Sequence, residues 1–567
     1  MFSSTEANFS FLDYCFFVIV FLVSLAIGVY YAIAAKRQGT NVEDYLLGRR
    51  NMQVIPISFS LVASAISGSS MLGQSTEVYT YGLHNWIFLV FGLVRTILIH
   101  FIFLPVFYEL QVVSSFMYLE RRFDRTVRLF ASAVYIFSGL FFIPLTIYVP
   151  SLTFQEVTGV NIYATAVIIM ILCIWYTAVG GIKAVVWTDM FQLILMLAST
   201  LLVLCVGWYN VGGLENIWQA MDRGGRLVFF KLDFDLEARG TIWGYVSSIM
   251  FISIYYIGMN QSSIQRYSSL PTLRKAKQSL WIQLVLYLII TLMELVIGAI
   301  MYTAYEDCDP YSIGRIKKVD QILPYFVQGR ASLFPGFNGI FIAGIFAAGL
   351  STTSTLLNTM SGTIYSDFIA SRLKRITEEK ANRILRVLVV VLGTIGTLMI
   401  FLIERMGTIF TITFRSLSIL TSTIFGLFIL GILIPRVNSK GVKYGVPISA
   451  LVVLTLLIGS FKMKDPFLPM RTDGCLKDDN TKQLYQSLTI SNTSVVNQQM
   501  DLPWVFKINY QYQTFIGLFL NISISYFVSI FTEKEEVRDQ RLLATFMRKI
   551  VPQTPLLQNT NHRATAM

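Results

Sequence analysis

Ser351, Thr352, Thr353, Ser354 and Thr355 are five consecutive hydroxyl side chains in the run AAGLSTTSTLLNT, which starts at Ala347 inside a long apolar stretch. Hydroxyl and carbonyl oxygens are hard donors that suit a small hard cation. At helical spacing Ala348, Ser351, Thr352 and Thr355 share one face, and an unwound backbone opposite that face would complete a site for Na+ without any fixed negative charge. The competing reading is back-bonding of each hydroxyl to the turn before it, which lets Ser and Thr sit in lipid; five in a row exceed that use. A second feature lies in SFSLVASAISGSSMLGQSTEVYTYG, Ser58 to Gly82, where small and hydroxyl residues run from Ala63 to Ser70 and Gly68 weakens the helix. Such a segment is either a tight packing surface or a broken helix whose freed carbonyls face a cavity.

The elements that must position these oxygens follow from composition. The chain has 567 residues, 54% hydrophobic and 14% charged, with mean hydropathy +0.60, whereas a soluble domain carries roughly a quarter charged residues. Its apolar blocks reach the ~20 residues needed to cross a bilayer, no β-barrel alternation occurs, and a spanning backbone must then satisfy itself as helix. The reading is an all-α polytopic membrane protein of about thirteen spans, at 11–33, 54–80, 83–108, 129–150, 161–179, 186–208, 241–262, 279–304, 337–367, 383–405, 408–434, 442–461 and 513–532. Residues 1–532 form one membrane domain and 533–567 a tail. Phe11 to Ile33 is too long for a signal-peptide core and has no small-residue cleavage site after it.

The net charge of +12 does not point to nucleic acid, because its clusters alternate with the spans. Lys36, Arg37, Arg49 and Arg50 follow the first span, Arg121, Arg122, Arg125 and Arg128 the third, and Arg266, Arg274, Lys275 and Lys277 the seventh. By the positive-inside rule the N-terminus is outside and the tail cytoplasmic, in the plasma membrane. Loops 209–240, 305–336 and 462–512 then fall outside, with sequons at Asn8 and Asn492. Of five cysteines, three fall within spans; Cys308 and Cys475 sit in two outer loops and are candidates for a disulfide. No phosphate-cradling loop and no catalytic cluster of His, Cys and carboxylate is evident, so the chain reads as no enzyme.

The seventh span, GYVSSIMFISIYYIGMNQSSIQRY, is interrupted much as the second is, and the two run in opposite directions. Paired interruptions of this kind mark an inverted-repeat transporter with a site at the bilayer midplane. Here the residues reach a known pattern. WYTAVGGIKAVVWTDMFQ, GMNQSSIQRY, the CDP and KKVDQILPYFV elements and AGLSTTSTLLN resemble, in order, the sodium:solute symporter family, the sodium–glucose cotransporter superfamily. ASAISGSSMLGQSTEVYTYG is similar to its iodide, monocarboxylate and multivitamin branch. The resemblance implies a LeuT-type fold of two inverted five-helix repeats, about 54–208 and 241–434, with extra helices at 11–33, 442–461 and 513–532, and Na+-driven uptake. It implies a sodium site made by the carbonyls of Ala63, Ile66 and Ala348 and the hydroxyls of Ser351 and Thr352. It places Asp189 where a released ion leaves, although Asp189 could equally anchor an ion pair with Lys183 or Arg266. Tyr256 aligns with an aromatic that closes the solute site, though a bare aromatic in a helix is ordinarily packing.

Ser69 and Ser70 stand where sugar-carrying relatives place long polar side chains, so a hexose would lack its partners. Two intramembrane arginines point elsewhere: Arg95 in the third span, and Arg415 in the eleventh beside Phe414, whose neighbourhood lines the solute site in this branch. A guanidinium binds a carboxylate through two parallel hydrogen bonds; the alternative is structural pairing with a carboxylate such as Glu294, or snorkelling. The expectation is a Na+-coupled symporter, functional as a monomer, for a small organic anion such as a monocarboxylate, biotin or pantothenate. An iodide-like anion, a neutral polyol or sugar, or a non-transporting sensor on the same scaffold are the alternatives.

Overall fold

The computed structural model describes residues 9–38, 42–112, 114–330, 335–370, 372–373, 377–403, 417–460, 466–475, 503–532, 537 and 539–549. Its apolar blocks form α1 (Phe11–Gln38), α2 (Val54–Ala65), α3 (Gly68–Tyr81), α4 (Leu83–Leu110), α5 (Arg125–Thr158) and α6 (Ile162–Val211). They continue as α7 (Ile242–Ser268), α8 (Leu273–Tyr305), α9 (Phe337–Ile369), α10 (Glu378–Ile403), α11 (Leu417–Leu433), α12 (Ser439–Gly459) and α13 (Tyr510–Ile530). Ten of these are long and apolar enough to cross a membrane, and the pair α2–α3, bent by 61°, makes an eleventh span.

At 50 residues α6 would run about 75 Å, more than twice the ~30 Å hydrocarbon core. It is two spans in one hydrogen-bonded run, joined at Gly181, whose φ of 57° and ψ of −159° interrupt the helix. That region of backbone space is open essentially only to glycine. The blocks expected at 161–179 and 186–208 are its two arms. With the shorter α11 the described helices account for the spans read from the sequence, apart from 404–405, 408–416 and 461, which lie outside the described residues. The loop 305–336 differs in holding a helix of its own, Ile322–Arg330.

The break between α2 and α3 is local chemistry. Ile66 and Ser67 are extended, at φ −102°, ψ 111° and φ −98°, ψ 164°. Ser67 caps α3 in a reciprocal box: its N–H donates to Ser70 Oγ at 2.8 Å and its Oγ accepts from Ser70 N–H. α7 departs from regularity twice, with a wide π turn over Val246–Met250 and a stop after Gly258, where Asn260 caps the segment Gln261–Ser268.

α9 is the axis of the bundle, packed against α6 and α5, with 94% of its central window buried. Small residues set that approach: a Cβ at Gly344 would lie 1.9 Å from Ser199 Oγ on α6, and one at Gly349 2.6 Å from the Thr146 carbonyl on α5. α1 lies outside α6 and α9, and α12 and α13 pair beside α11. Cys308 and Cys475 are joined in a disulfide, and Asp309 next to it accepts from Ser312 and from Tyr79 at the end of α3.

Candidate cation and solute site

The broken span and the hydroxyl cluster meet. Ser67 N–H turns to Ser70 Oγ, so the Ala63 carbonyl loses its helical donor; Ser70 N–H turns back to Ser67, so the Ile66 carbonyl loses its own. Both carbonyls point at α9. Ser351 Oγ lies 2.8 Å from the Ala63 carbonyl and 3.0 Å from that of Ala348; Thr352 Oγ1 lies 3.5 Å from Ile66 O and 3.1 Å from Ala348 O. Five oxygens, three of them carbonyls, thus form one buried cluster with no carboxylate among them. Neutral hard oxygens of this kind are a donor set suited to a small hard cation.

The remaining hydroxyls do other work. Thr353 Oγ1 bonds Thr146 Oγ1 on α5 at 2.7 Å, Ser354 bonds back to Ser351, and Thr355 accepts from Arg266 at 2.6 Å. That arginine, at the end of α7, also donates to Ser60 on α2 (2.7 Å) and to Asp189 on α6 (2.9 Å), while Ser60 donates to the same Asp189 oxygen at 2.6 Å. Arg266 and Asp189 are both buried, and Oδ1 of Asp189 has no partner. Asp189 therefore pairs with Arg266; Lys183 instead lies 3.8 Å from Asp44. The other polar residues of NQSSIQRY hold segments in place: Gln261 accepts from Ser115 N–H and Gln265 donates to the Leu46 carbonyl.

Above the cluster is a cavity of about 130 Å³. Ile66 and Thr352 belong to its wall as well as to the cluster, as do Ser67, Ser69 and Ser70 at the N-terminus of α3. Ser69 Oγ bonds Ser67 Oγ and Ser70 Oγ bonds the Ser67 carbonyl, so these hydroxyls serve the cap first. Tyr256 lines the wall with its hydroxyl 3.5 Å from the Ser64 carbonyl. Arg95 enters from α4, only 3% exposed, with its guanidinium 4.3 Å from the Tyr287 ring centroid and with Nε and Nη2 unpartnered. It makes no pair with Glu294, the structural alternative raised by the sequence. Phe414, Arg415, Asn8 and Asn492 lie outside the described residues; Leu417, just after the first two, lines the cavity.

Among the lining residues not singled out as solute contacts from the sequence are Gln74, Tyr287, Thr291 and Glu294. Tyr287, Thr291 and Glu294 follow i, i+4, i+7 spacing on α8, a polar stripe in an apolar helix that a search for intramembrane polar faces would have found.

A broken helix facing a hydroxyl-bearing one beside a cavity, within a bundle of this helix order, is the arrangement of the LeuT-type fold. A solved Na+-coupled sialic acid symporter has the same fold, with a TM-score of 0.76 at 21% identity, over 93% of this chain and 99% of that one. Mhp1, a nucleobase-cation-symport-1 family transporter, overlays with a TM-score of 0.51 at 12% identity, covering 84% and 99%. The family model for the sodium:solute symporter family matches residues 45–448. Sodium-coupled monocarboxylate transporter 2 of Homo sapiens is 32% identical over 539 residues, 94% of this chain and 86% of that protein. A putative sodium-dependent multivitamin transporter of Drosophila melanogaster is 29% identical over 515 residues, 90% and 84%. The chain belongs to the sodium:solute symporter family. It is a multi-pass membrane protein that couples movement of a solute to Na+.

Proposed function

We propose that the chain imports a small organic monoanion, a monocarboxylate or a carboxylate vitamin such as biotin or pantothenate, together with Na+. One observation carries this reading. The cavity lined by Arg95, whose Nε and Nη2 have no hydrogen-bond partner, shares Ile66 and Thr352 with the five-oxygen cluster. A carboxylate would supply the two parallel acceptors that Nε and Nη2 lack, and the N-terminal end of α3 adds a favourable half-helix dipole. Both relatives named above bear carboxylate-solute or vitamin names.

Na+ at Ala63, Ile66, Ala348, Ser351 and Thr352 bridges α2 to α9. Because Ile66 and Thr352 also wall the cavity, filling the ion site fixes the solute site's shape, and the two affinities are reciprocally linked. On the far side of the cluster, Arg266, Ser60, Thr355 and Asp189 tie α7, α2, α9 and α6 together and close the way inward. Opening requires that this network part, and the spare Oδ1 of Asp189 then offers a departing ion its first oxygen. Tyr256 separates the cavity from that network. A membrane potential contributes about 2.3 kcal/mol per net charge per 100 mV, so a 2:1 ratio of Na+ to anion is driven by voltage and a 1:1 ratio is not.

On this reading residues 1–532 are one membrane domain with repeats at about 54–208 and 241–434. The protein works as a monomer in the plasma membrane without covalent chemistry. Its N-terminus and the disulfide-bearing loops lie outside, and its tail lies inside. The test is uptake of labelled monocarboxylates, biotin, pantothenate and iodide with Na+ or choline outside, for wild type and Arg95→Gln at matched surface level. Carboxylate uptake is expected to require Na+ and to fall at least tenfold in the variant, the loss of a charged hydrogen-bonded pair of about 1.5–3 kcal/mol. Na+-dependent uptake unaffected by Arg95→Gln overturns the assignment.

A further inference from the structure

Three residues that line the cavity carry four buried polar atoms with no partner: Nε and Nη2 of Arg95, Nε2 of Gln74 and Oε1 of Glu294. Their side chains belong to residues only 3%, 6% and 5% exposed. Orphaned groups buried this deeply are costly unless something completes them. They are also segregated. Arg95 stacks on Tyr287, whereas Glu294 is two helical turns further along α8, about 10 Å away along the axis. Gln74 is at the Glu294 end, because its neighbour Ser75 donates to the Glu294 carbonyl at 3.1 Å. Thr291 lies between them on the same stripe. One end of the cavity therefore carries the two unmet donors of Arg95, and the other an unmet donor on Gln74 beside an unmet acceptor on Glu294.

From this pattern we infer that the solute is a monocarboxylate whose far end carries both a hydrogen-bond acceptor and a donor, such as a hydroxyl, amide or urea group. Its carboxylate sits on Arg95. Its distal oxygen accepts from Gln74 Nε2–H, and its distal O–H or N–H donates to Glu294 Oε1. The spacing excludes a two- or three-carbon acid from engaging both ends at once. A plain alkyl acid long enough to reach would leave Gln74 and Glu294 unpaired, and sites with buried polar groups discriminate strongly against such analogues. This inference rests on the reading of the cavity as the solute site with Arg95 as its carboxylate partner.

The experiment is Na+-dependent competition uptake with pairs of acids of equal chain length, five to eight atoms, one alkyl and one ending in hydroxyl or carboxamide. Wild type is expected to favour the functionalised member by tenfold or more in apparent affinity at the best-fitting length. That ratio is expected to collapse towards one in Glu294→Met and in Gln74→Met, which keep the side-chain length and remove the hydrogen bond. Surface labelling checks folding, and Gln74→Met carries the test if Glu294→Met fails to reach the membrane. A wild-type ratio near one at every length, or a ratio unchanged in a variant at the surface, overturns the inference. If alkyl acids are nevertheless taken up with Na+ and Arg95→Gln abolishes it, the solute reading survives alone. If no acid of either kind competes, both fall.

Discussion

Ser351 and Thr352 each face two carbonyls at once, and one hydroxyl proton cannot serve both. Such a cluster is rich in acceptors and short of hydrogens, which is the condition a cation relieves. Thr353, one residue on, is of the same type with a different duty: its hydroxyl links α9 to α5 through Thr146. Thr353→Val should lower the thermal midpoint of the purified protein by the worth of one buried hydrogen bond, about 1 kcal/mol, while the Na+ dependence of uptake stays as in wild type. The α9 members of the oxygen cluster were legible because three- and four-residue spacing puts Ala348, Ser351 and Thr352 on one face. The partner of Asp189 was not, since Lys183 and Arg266 are both within plausible reach in sequence and only the packing of α7 against α2 and α6 chooses Arg266.

Helices break here where serine and glycine supply the alternative hydrogen bonds. The Ser67–Ser70 box replaces the bonds α2 would have continued with, so the interruption was visible in ASAISGSS. The joint in α6 was legible only as a gap between apolar blocks; the backbone runs through it because Gly181 adopts φ 57°. Gly181→Ala should cost about 1–3 kcal/mol in unfolding free energy, read as lower thermal stability in detergent, and the close Tyr45 contact there adds to the strain. The Arg266–Asp189 pair ties four elements together. Asp189→Asn leaves a buried guanidinium short of its charge partner and should destabilise by about 3–5 kcal/mol. Asp189→Asn with Arg266→Gln should recover part of that loss in the same melting assay, and no recovery would show that the two side chains act separately.

Over the whole molecule, the sequence made the membrane bundle, its span order and its pair of broken helices readable, because apolar length and loop charge are set by the bilayer. The connecting loops were less readable, being built from contacts far apart in the chain: the Cys308–Cys475 disulfide was expected from the sequence, but Asp309 against Tyr79 and buried Arg226 donating to the Tyr79 carbonyl were not. The helix Leu214–Arg223 docks on the end of α8 through Arg223, whose guanidinium makes two 2.8 Å bonds to Glu306. That pairing holds the Glu306 carboxyl below its ordinary value. A depressed carboxylate stabilises the folded state above its unfolded-state pKa and loses that contribution as pH falls through the folded value. The protection of amides in 214–223, taken against the intrinsic exchange rate at each pH, should therefore fall between about pH 6 and about pH 3, and Glu306→Gln should remove that fall.

On the proposed function, oxygens of the α2–α3 break and of α9 together hold Na+ next to the solute cavity. The most direct measurement of this is the Na+ concentration giving half-maximal solute uptake in wild type, Ser351→Ala and Thr352→Ala at equal surface level. Removing one oxygen should raise that concentration by tenfold or more, with uptake restored at high Na+. A half-saturation unchanged in both variants would show that Na+ binds elsewhere.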